Sequence, residues 1–348
     1  MSLQRSRELT YLTRAEVAQT LSEIDAVAVA ADTLRAHALG NTIVPDEGYL
    51  GWNTPNGYSA RSLNMPGLVA DGTTPVVGTK IINASLGNTR RGTPRADGLT
   101  LLFDAETAHP YALMDGTLIS ATRTAAVTAV AVEQFTTRPV RRVGLIGCGA
   151  QASTHFSILL PRLPDLREIR LYDQHPASVQ AFLERHHKAA AAANVRLVVA
   201  KTAEEAVREA DVVVPVTTVT EGYIRMEWLH PGAVVVHVSL DDLLPEVVLG
   251  AALVVVDDWE LVRTDPRRLL GRMYREGLLC GPDEEPSGQH VKRVDGTIGH
   301  FLRQGTRQRD AQGVTVVNPF GMSVQDIALA HRVVSVASTL GLGTQLPR

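Results

Sequence analysis

Three cations stand in stretches that otherwise read as packed interior. Arg61 precedes Leu63-Asn64-Met65-Pro66, Lys80 ends the run Val76-Val77-Gly78-Thr79 and is followed by Ile81-Ile82, and Arg123 sits inside Ser120-Ala121-Thr122-Arg123-Thr124-Ala125-Ala126. A lysine in such a place loses hydration, its ammonium gives up its proton more readily, and it becomes a usable general acid or base near neutral pH. An arginine there presents a planar fork of donors that suits a carboxylate. Position alone leaves a solvated cation or a structural ion pair open for each of the three.

A second constellation points to a nucleotide. Residues 143–146 (Val-Gly-Leu-Ile) read as a buried strand that runs into Gly147-Cys148-Gly149-Ala150-Gln151-Ala152. Gly147 and Gly149 allow a tight turn and close approach of a pyrophosphate, Ala152 lets the next helix pack closely, and the amides around Ala150 and Gln151 open that helix toward the phosphates. Asp173 ends a second run, Ile169-Arg170-Leu171-Tyr172, about twenty residues beyond the turn, where a carboxylate accepts hydrogen bonds from the adenosine ribose. The same carboxylate repels a 2′-phosphate, so the expected cofactor is NAD rather than NADP.

These groups need two frames to hold them. Residues 13–39 read as helical, opening on a capping box at Thr13 and Glu16. Short β-like runs at 76–82, 99–103 and 111–114, separated by Gly, Asn, Pro and Asp, predict an antiparallel or mixed sheet that serves as the substrate platform. Residues 118–135 form a helical link, and a doubly wound α/β domain follows. Its apolar runs are 143–146, 195–199, 211–216, 233–238 and 253–256, with a helix over 176–193 and a short one at 203–210. Thr217 and Ser239, which directly follow two of those runs, join the cofactor candidates. Asp241 and Asp242 lie just past the 233–238 strand, at the carboxyl end where ligands enter such sheets, though a loop or capping role is equally open. The helix at 323–340 is expected to fold back onto the first domain. The predicted organisation is therefore α/β: residues 1–135 and 318–348 form an α+β substrate-binding and dimerisation domain, and residues 136–317 form a Rossmann dinucleotide-binding domain.

The 348 residues suffice for two domains, and 45% hydrophobic content is ordinary for packed cores. A formal net charge of −3 offers no basic excess for nucleic acid or an anionic membrane. Only two cysteines are present, Cys148 and Cys280, with no zinc-spaced cluster, so no metal or disulfide framework is expected and Cys148 reads as a small packing residue. The first residues lack an apolar signal core, and the expected location is the cytoplasm.

Lys80-Ile81-Ile82-Asn83 with Gly87-Asn88-Thr89, then Leu118-Ile119-Ser120-Ala121-Thr122-Arg123-Thr124-Ala125-Ala126, then the glycine turn, resemble in this order the ornithine cyclodeaminase/mu-crystallin family. The resemblance implies a dimerising platform domain plus a Rossmann domain, and an NAD(P)-dependent reaction at an amino acid's C–N bond. It further implies that Lys80 is the catalytic lysine, assisted by Asp242 or Asp241, and that Arg61 and Arg123, with Lys80, hold the substrate carboxylate. Thr89, Thr122, Arg123 and Thr124 would contact cofactor phosphates. Ser239-Leu240-Asp241-Asp242-Leu243-Leu244-Pro245-Glu246 departs from the Gly-Asp-x-Pro-Gly-Lys loop of the cyclodeaminases. With Val255-Val256-Asp257-Asp258-Trp259 and Asn318-Pro319-Phe320-Gly321-Met322-Ser323, it is more similar to the N-(2-amino-2-carboxyethyl)-L-glutamate dehydrogenases that supply 2,3-diaminopropionate to siderophore and antibiotic pathways. Cyclodeamination of ornithine, oxidation of a simple amino acid, reduction of a cyclic imine, and non-catalytic ligand binding of the mu-crystallin kind are the other readings.

Overall fold

The computed structural model describes residues 8–70, 72, 74–286, 291–304 and 310–347; the side chain of Thr89 lies outside the described set. The chain divides into two compact units, residues 1–123 with 321–348, and residues 124–320.

The first unit is built on a mixed sheet in the order Thr344–Pro347, Glu8–Leu12, Pro110–Asp115, Ala96–Phe103, Val76–Ser85, Ser59–Val69, Thr42–Ile43, with Gly48–Asn53 also pairing Ser59–Val69. The pairing of Glu8–Leu12 with Pro110–Asp115 is parallel, and the ladders through the centre are antiparallel. Ser59–Val69, which carries Arg61, is not legible as a strand in sequence because Asn64, Pro66 and Gly67 interrupt its apolar alternation. The helical stretch at 13–39 splits into Arg14–Leu21 and Ala26–Ala38. Asp25 caps the second helix, accepting from the amides of Val27 and Ala28 at 3.0 and 3.1 Å, and that cap ends continuity with the first.

The Ser323–Thr339 helix packs on this sheet, where two glycines admit it. Gly67 and Gly78 face each other in register. A Cβ on Gly67 would stand 2.7 Å from Ser323 Oγ, and one on Gly78 would stand 2.5 Å from the Leu101 carbonyl oxygen and 3.4 Å from Ile327 Cγ1. Ser323 Oγ donates to the Pro66 carbonyl at 2.6 Å, fixing the start of the helix over the bare strip.

The second unit holds a parallel sheet in the order Arg196–Val199, Glu168–Tyr172, Arg142–Ile146, Val212–Pro215, Val234–Val236, Thr315–Asn318, Leu253–Val256, Gly296–Thr297. The valine-rich inner strands are buried on both faces, as crossover helices require. Winding reverses at Arg142–Ile146, between neighbours Glu168–Tyr172 and Val212–Pro215, and such a switch point opens a crevice at the strands' carboxyl ends. Residues 124–135 and 318–320 pack in this unit, although the sequence reading groups them with the other. The reason is contact. Thr128 Oγ1 lies 3.0 Å from His155 Nε2, the Phe135 and Phe301 rings meet edge to face at 5.4 Å, and Asn318 continues the sheet opposite Val256. Among the described residues no helix is long and apolar enough to cross a membrane.

Candidate functional site

The antiparallel register sets Met65, Lys80, Thr100 and Met114 in one row across four strands. Opposed residues share a face, and that face is the one covered by the Ser323–Thr339 helix. Lys80 is consequently 1% exposed, and Asp326, in the helix's first turn, is 0% exposed. The Lys80 ammonium donates to Asp326 Oδ2 at 2.8 Å and to Ser120 Oγ at 3.3 Å. Arg123 Nε lies 3.2 Å from the same Asp326 oxygen, so one carboxylate serves two cations. Ser120 and Arg123 stand three residues apart on the Gly116–Phe135 helix and so occupy one side of it.

Burial pushes the Lys80 pKa down to about 8; the Asp326 charge opposes that fall, and Arg123 adds to it. A group so placed exchanges its proton near neutral pH, which is what general acid-base work demands. Asp326 Oδ1 and Thr100 Oγ1 are buried without a hydrogen-bond partner among the described residues, leaving unused polar capacity around the lysine. Gly321 completes the cluster. Its φ is +95°, and a Cβ there would lie 2.5 Å from Arg123 Nη1, so only glycine leaves the guanidinium in place. Arg61 is half-buried on Ser59–Val69, in the alternation series of Leu63 and Met65, and therefore on the face of Lys80.

Within the second unit, the glycine turn joins the strand Arg142–Ile146 to the helix Ala150–Leu159. Gly147 has φ +88°, donates its N–H to the Tyr172 carbonyl at 2.8 Å, and would clash through a Cβ with the Val216 carbonyl at 2.9 Å. Gly149 is the N-cap, brings no side-chain hydrogen bond to the first-turn amides, and has open space where its Cβ would be. That combination of uncapped amides and free volume fits a pyrophosphate. Ala152 is fully buried, as close helix packing requires, and Gln151 Oε1 is a buried acceptor with no partner among the described residues. Asp173 accepts from the Cys148 amide at 2.8 Å and the His175 amide at 2.9 Å. Each carboxylate oxygen keeps a further lone pair, which a ribose hydroxyl can use. Burial, then the Asp173 charge, pushes the Cys148 thiol up to about 12, so it is no nucleophile.

Asp242 is fully buried and ringed by hydroxyls. Its Oδ1 accepts from Thr217 at 2.7 Å and Tyr223 at 2.6 Å, its Oδ2 accepts from Ser239, and its amide donates to His237 Nε2 at 3.2 Å. Burial holds His237 near 4, hence neutral, and burial with the Asp242 charge keeps the Tyr223 phenol protonated. Asp241 is paired with Arg272. Both acids singled out from sequence therefore carry hydrogen-bonded partners inside the second unit, while the carboxylate on Lys80 is Asp326, which the sequence reading does not single out. Its signal is an acid in the first turn of a helix otherwise buried at Val324, Ile327 and Ala330. Thr122 and Thr124 are half-buried on the Gly116–Phe135 helix; Thr89 opens a short 3-10 turn, with its side chain outside the described set.

The model of the ornithine cyclodeaminase/mu-crystallin family matches residues 10–339. The N-((2S)-2-amino-2-carboxyethyl)-L-glutamate dehydrogenase of Staphylococcus aureus (strain NCTC 8325 / PS 47) is 29% identical over 345 residues, covering 98% of this chain and 99% of the relative. Among solved structures, CmnK is 38% identical, covers 98% of each chain and superposes with a TM-score of 0.87. An archaeal alanine dehydrogenase dimer with bound NAD is 26% identical over 97% of this chain and 99% of its own, with a TM-score of 0.81. The chain belongs to the ornithine cyclodeaminase/mu-crystallin family.

Proposed function

We propose that this protein oxidises N-(2-amino-2-carboxyethyl)-L-glutamate with NAD+ and water to 2-oxoglutarate and 2,3-diaminopropionate, releasing NADH and a proton. The coarser statement is that it is an NAD-dependent oxidoreductase of its family acting on an amino acid. The observation that carries the reading is the buried Lys80–Asp326–Arg123 cluster, a proton-exchanging lysine beside a carboxylate-binding fork. Full-length similarity to the staphylococcal dehydrogenase supports the choice of substrate.

Bound NAD+ would supply the hydride acceptor for the α-carbon of the glutamate portion. Gly147, Gly149, Ala150 and Gln151 would hold its pyrophosphate and Asp173 its ribose, with Thr89, Thr122, Thr124, Thr217 and Ser239 as further contacts. Arg61 and Arg123 fix substrate carboxylates and so orient the C–H bond, an effect able to lower a barrier by several kcal/mol. Lys80 takes the proton from the water that adds to the imine carbon, and returns a proton to the departing amine nitrogen. Asp326 sets the proton affinity of Lys80. Asp242, with its hydroxyl ring, shapes the loop after the Val234–Val236 strand rather than moving protons, and Asp241 does the same through Arg272. On this reading residues 1–123 with 321–348 carry Lys80 and the substrate arginines, residues 124–320 carry the glycine turn and Asp173, and the enzyme works in the cytoplasm. A homodimer would cover the apolar Tyr49, Leu50 and Trp52, which are exposed on the Gly48–Asn53 strand.

The test is NADH absorbance after mixing protein and NAD+ with N-(2-amino-2-carboxyethyl)-L-glutamate, with ornithine and alanine in parallel. NADH with the first alone, accompanied by 2-oxoglutarate, is expected. NADH only with alanine, or proline and ammonia from ornithine without net NADH, would replace the reading.

A further inference from the structure

The parallel sheet of the second unit begins on a rim of arginines. Arg142, Glu168 and Arg196 open three neighbouring strands in one register row. One residue earlier, beyond the last paired rung, the Arg167 amide donates to the Arg141 carbonyl at 2.9 Å and the Arg196 amide to the Arg167 carbonyl at 2.9 Å. Side chains of both alternations meet at this open end, around a cleft of about 500 Å³ whose lining includes five arginines and three acids. All of them belong to residues 124–320, and the volume is one that small-molecule sites commonly have. The cleft lies at the amino ends of the strands. Gly147 follows the carboxyl end of Arg142–Ile146, about 16 Å of strand away, so the cleft is not the crevice at the glycine turn.

The three acids are already engaged. Glu168 accepts from Arg170 Nε at 2.7 Å and from Arg196 Nη2 at 2.5 Å. Asp211 Oδ2 accepts from the amides of Arg141 and Arg142 at 2.8 and 2.9 Å, and its Oδ1 lies 3.2 Å from Arg138 Nη2. Glu209 Oε2 lies 3.3 Å from Arg142 Nη1 and 3.4 Å from Arg170 Nη2. Arg141 and Arg167 are left without a carboxylate. Among the described residues the Arg141 side chain forms no hydrogen bond or ion pair, and that of Arg167 donates only to the Pro164 and Leu166 carbonyls, at 3.3 and 3.0 Å. Arg138 Nε, on the same wall, is buried with no hydrogen-bond partner among the described residues.

We infer that this rim is a second ligand site, separate from the dinucleotide crevice, for a small anion carrying two linked phosphate groups. The inference goes beyond the proposed reaction and stands whichever amino acid is oxidised. Arg141 and Arg167 lead into adjacent strands, about 4.8 Å apart at the backbone, so two uncompensated guanidiniums face one volume and favour a ligand with two neighbouring negative groups. Guanidinium forks pair with phosphate oxygens two at a time, and a phosphate offers acceptors around a tetrahedron, which suits donors arriving from several strands. The acids fix the frame: Glu168 and Asp211 hold Arg196 and Arg138 on the wall and leave the two free arginines to bind.

Calorimetry on the protein saturated with NAD+ at physiological ionic strength tests this, with inorganic pyrophosphate as the probe and sulfate as the comparison anion. Pyrophosphate should bind at one site, about tenfold or more tighter than sulfate. Arg141→Gln and Arg167→Gln should each weaken it by about threefold to tenfold, a range set by the exposure of these side chains, and leave NAD+ affinity unchanged. Arg167→Lys, which keeps the charge and loses the fork, should lose less. ADP titrated in parallel distinguishes the source of the phosphates: tighter binding than pyrophosphate assigns the site to a diphosphate ester, weaker binding to free diphosphate. No heat with pyrophosphate, or heat that disappears once NAD+ is saturating, would overturn the inference. So would an equal loss in Arg225→Gln, which removes an exposed charge outside the cleft and so reports net charge alone.

Discussion

Replacing Asp326 by Asn should move the pH dependence of turnover toward acid. In the native protein the Lys80 ammonium is buried, its pKa is held near 8 instead of 10.5, and the Asp326 carboxylate at 2.8 Å is the main influence keeping it from falling further. Asparagine removes that charge, and the two remaining influences, burial and Arg123, both favour neutral lysine. Removing one partner of a buried ion pair is worth about 3 to 5 kcal/mol. At about 1.4 kcal/mol per pKa unit, that drives the lysine down by about two units or more, into the range of about 5 to 6 known for unpaired buried lysines. The assay is kcat for NADH formation against pH with both substrates saturating. Wild-type kcat should rise through an apparent pKa near 8, and the Asp326→Asn limb should lie near 6 or below. The same coupling shows in stability. Because the folded-state pKa of Lys80 is depressed, the unfolded chain binds more protons between about pH 8 and 10.5, so this contribution to stability rises with pH across that window. In the variant the rise should begin at lower pH. A kcat limb that stays near 8 in a variant with unaltered near-ultraviolet circular dichroism and NAD binding would refute the assignment of Lys80 as the titrating group.

Gly321→Ala should displace the Arg123 guanidinium, since its Cβ would intrude to 2.5 Å, and kcat/KM should fall on the order of a hundredfold while NAD affinity measured by fluorescence is unchanged. Equal losses in both quantities would show that the strain spreads beyond the arginine. Asp173→Ala removes the carboxylate that closes the glycine turn on the Cys148 amide; calorimetry should show NAD binding weaker by about 1.5 to 3 kcal/mol, with discrimination against NADP reduced. Unchanged NAD affinity would remove Asp173 from the ribose site. Asp242→Asn disturbs a carboxylate accepting from Thr217, Tyr223 and Ser239, so denaturant unfolding should show a loss of about 1 to 3 kcal/mol, and the apparent pKa near 8 in kcat should stay where it is. A shift of that limb would return Asp242 to the proton-transfer chemistry.

The sequence by itself determined the parallel α/β unit, because buried valine runs and a glycine turn are local signals that need no partner to be read. The strand Arg142–Ile146, the turn at Gly147 and Gly149, and Asp173 at the end of Glu168–Tyr172 stand where spacing predicts them. Lys80 was legible for a similar reason: a cation inside an apolar strand has few places to go. The strand Ser59–Val69 was hidden by Pro66 and Gly67, whose value is tertiary, since the missing side chain at Gly67 admits a helix from the far end of the chain. The partner of Lys80 was out of reach for the same physical reason. Asp326 is 246 residues away, and nothing in the local pattern distinguishes it from Asp241 or Asp242, which sit more suggestively after a strand. Tertiary structure decides which partner each acid takes. Hydroxyls and an arginine consume the two acids after the Val234–Val236 strand, whereas burial against the platform sheet leaves Asp326 as the carboxylate that compensates a desolvated lysine.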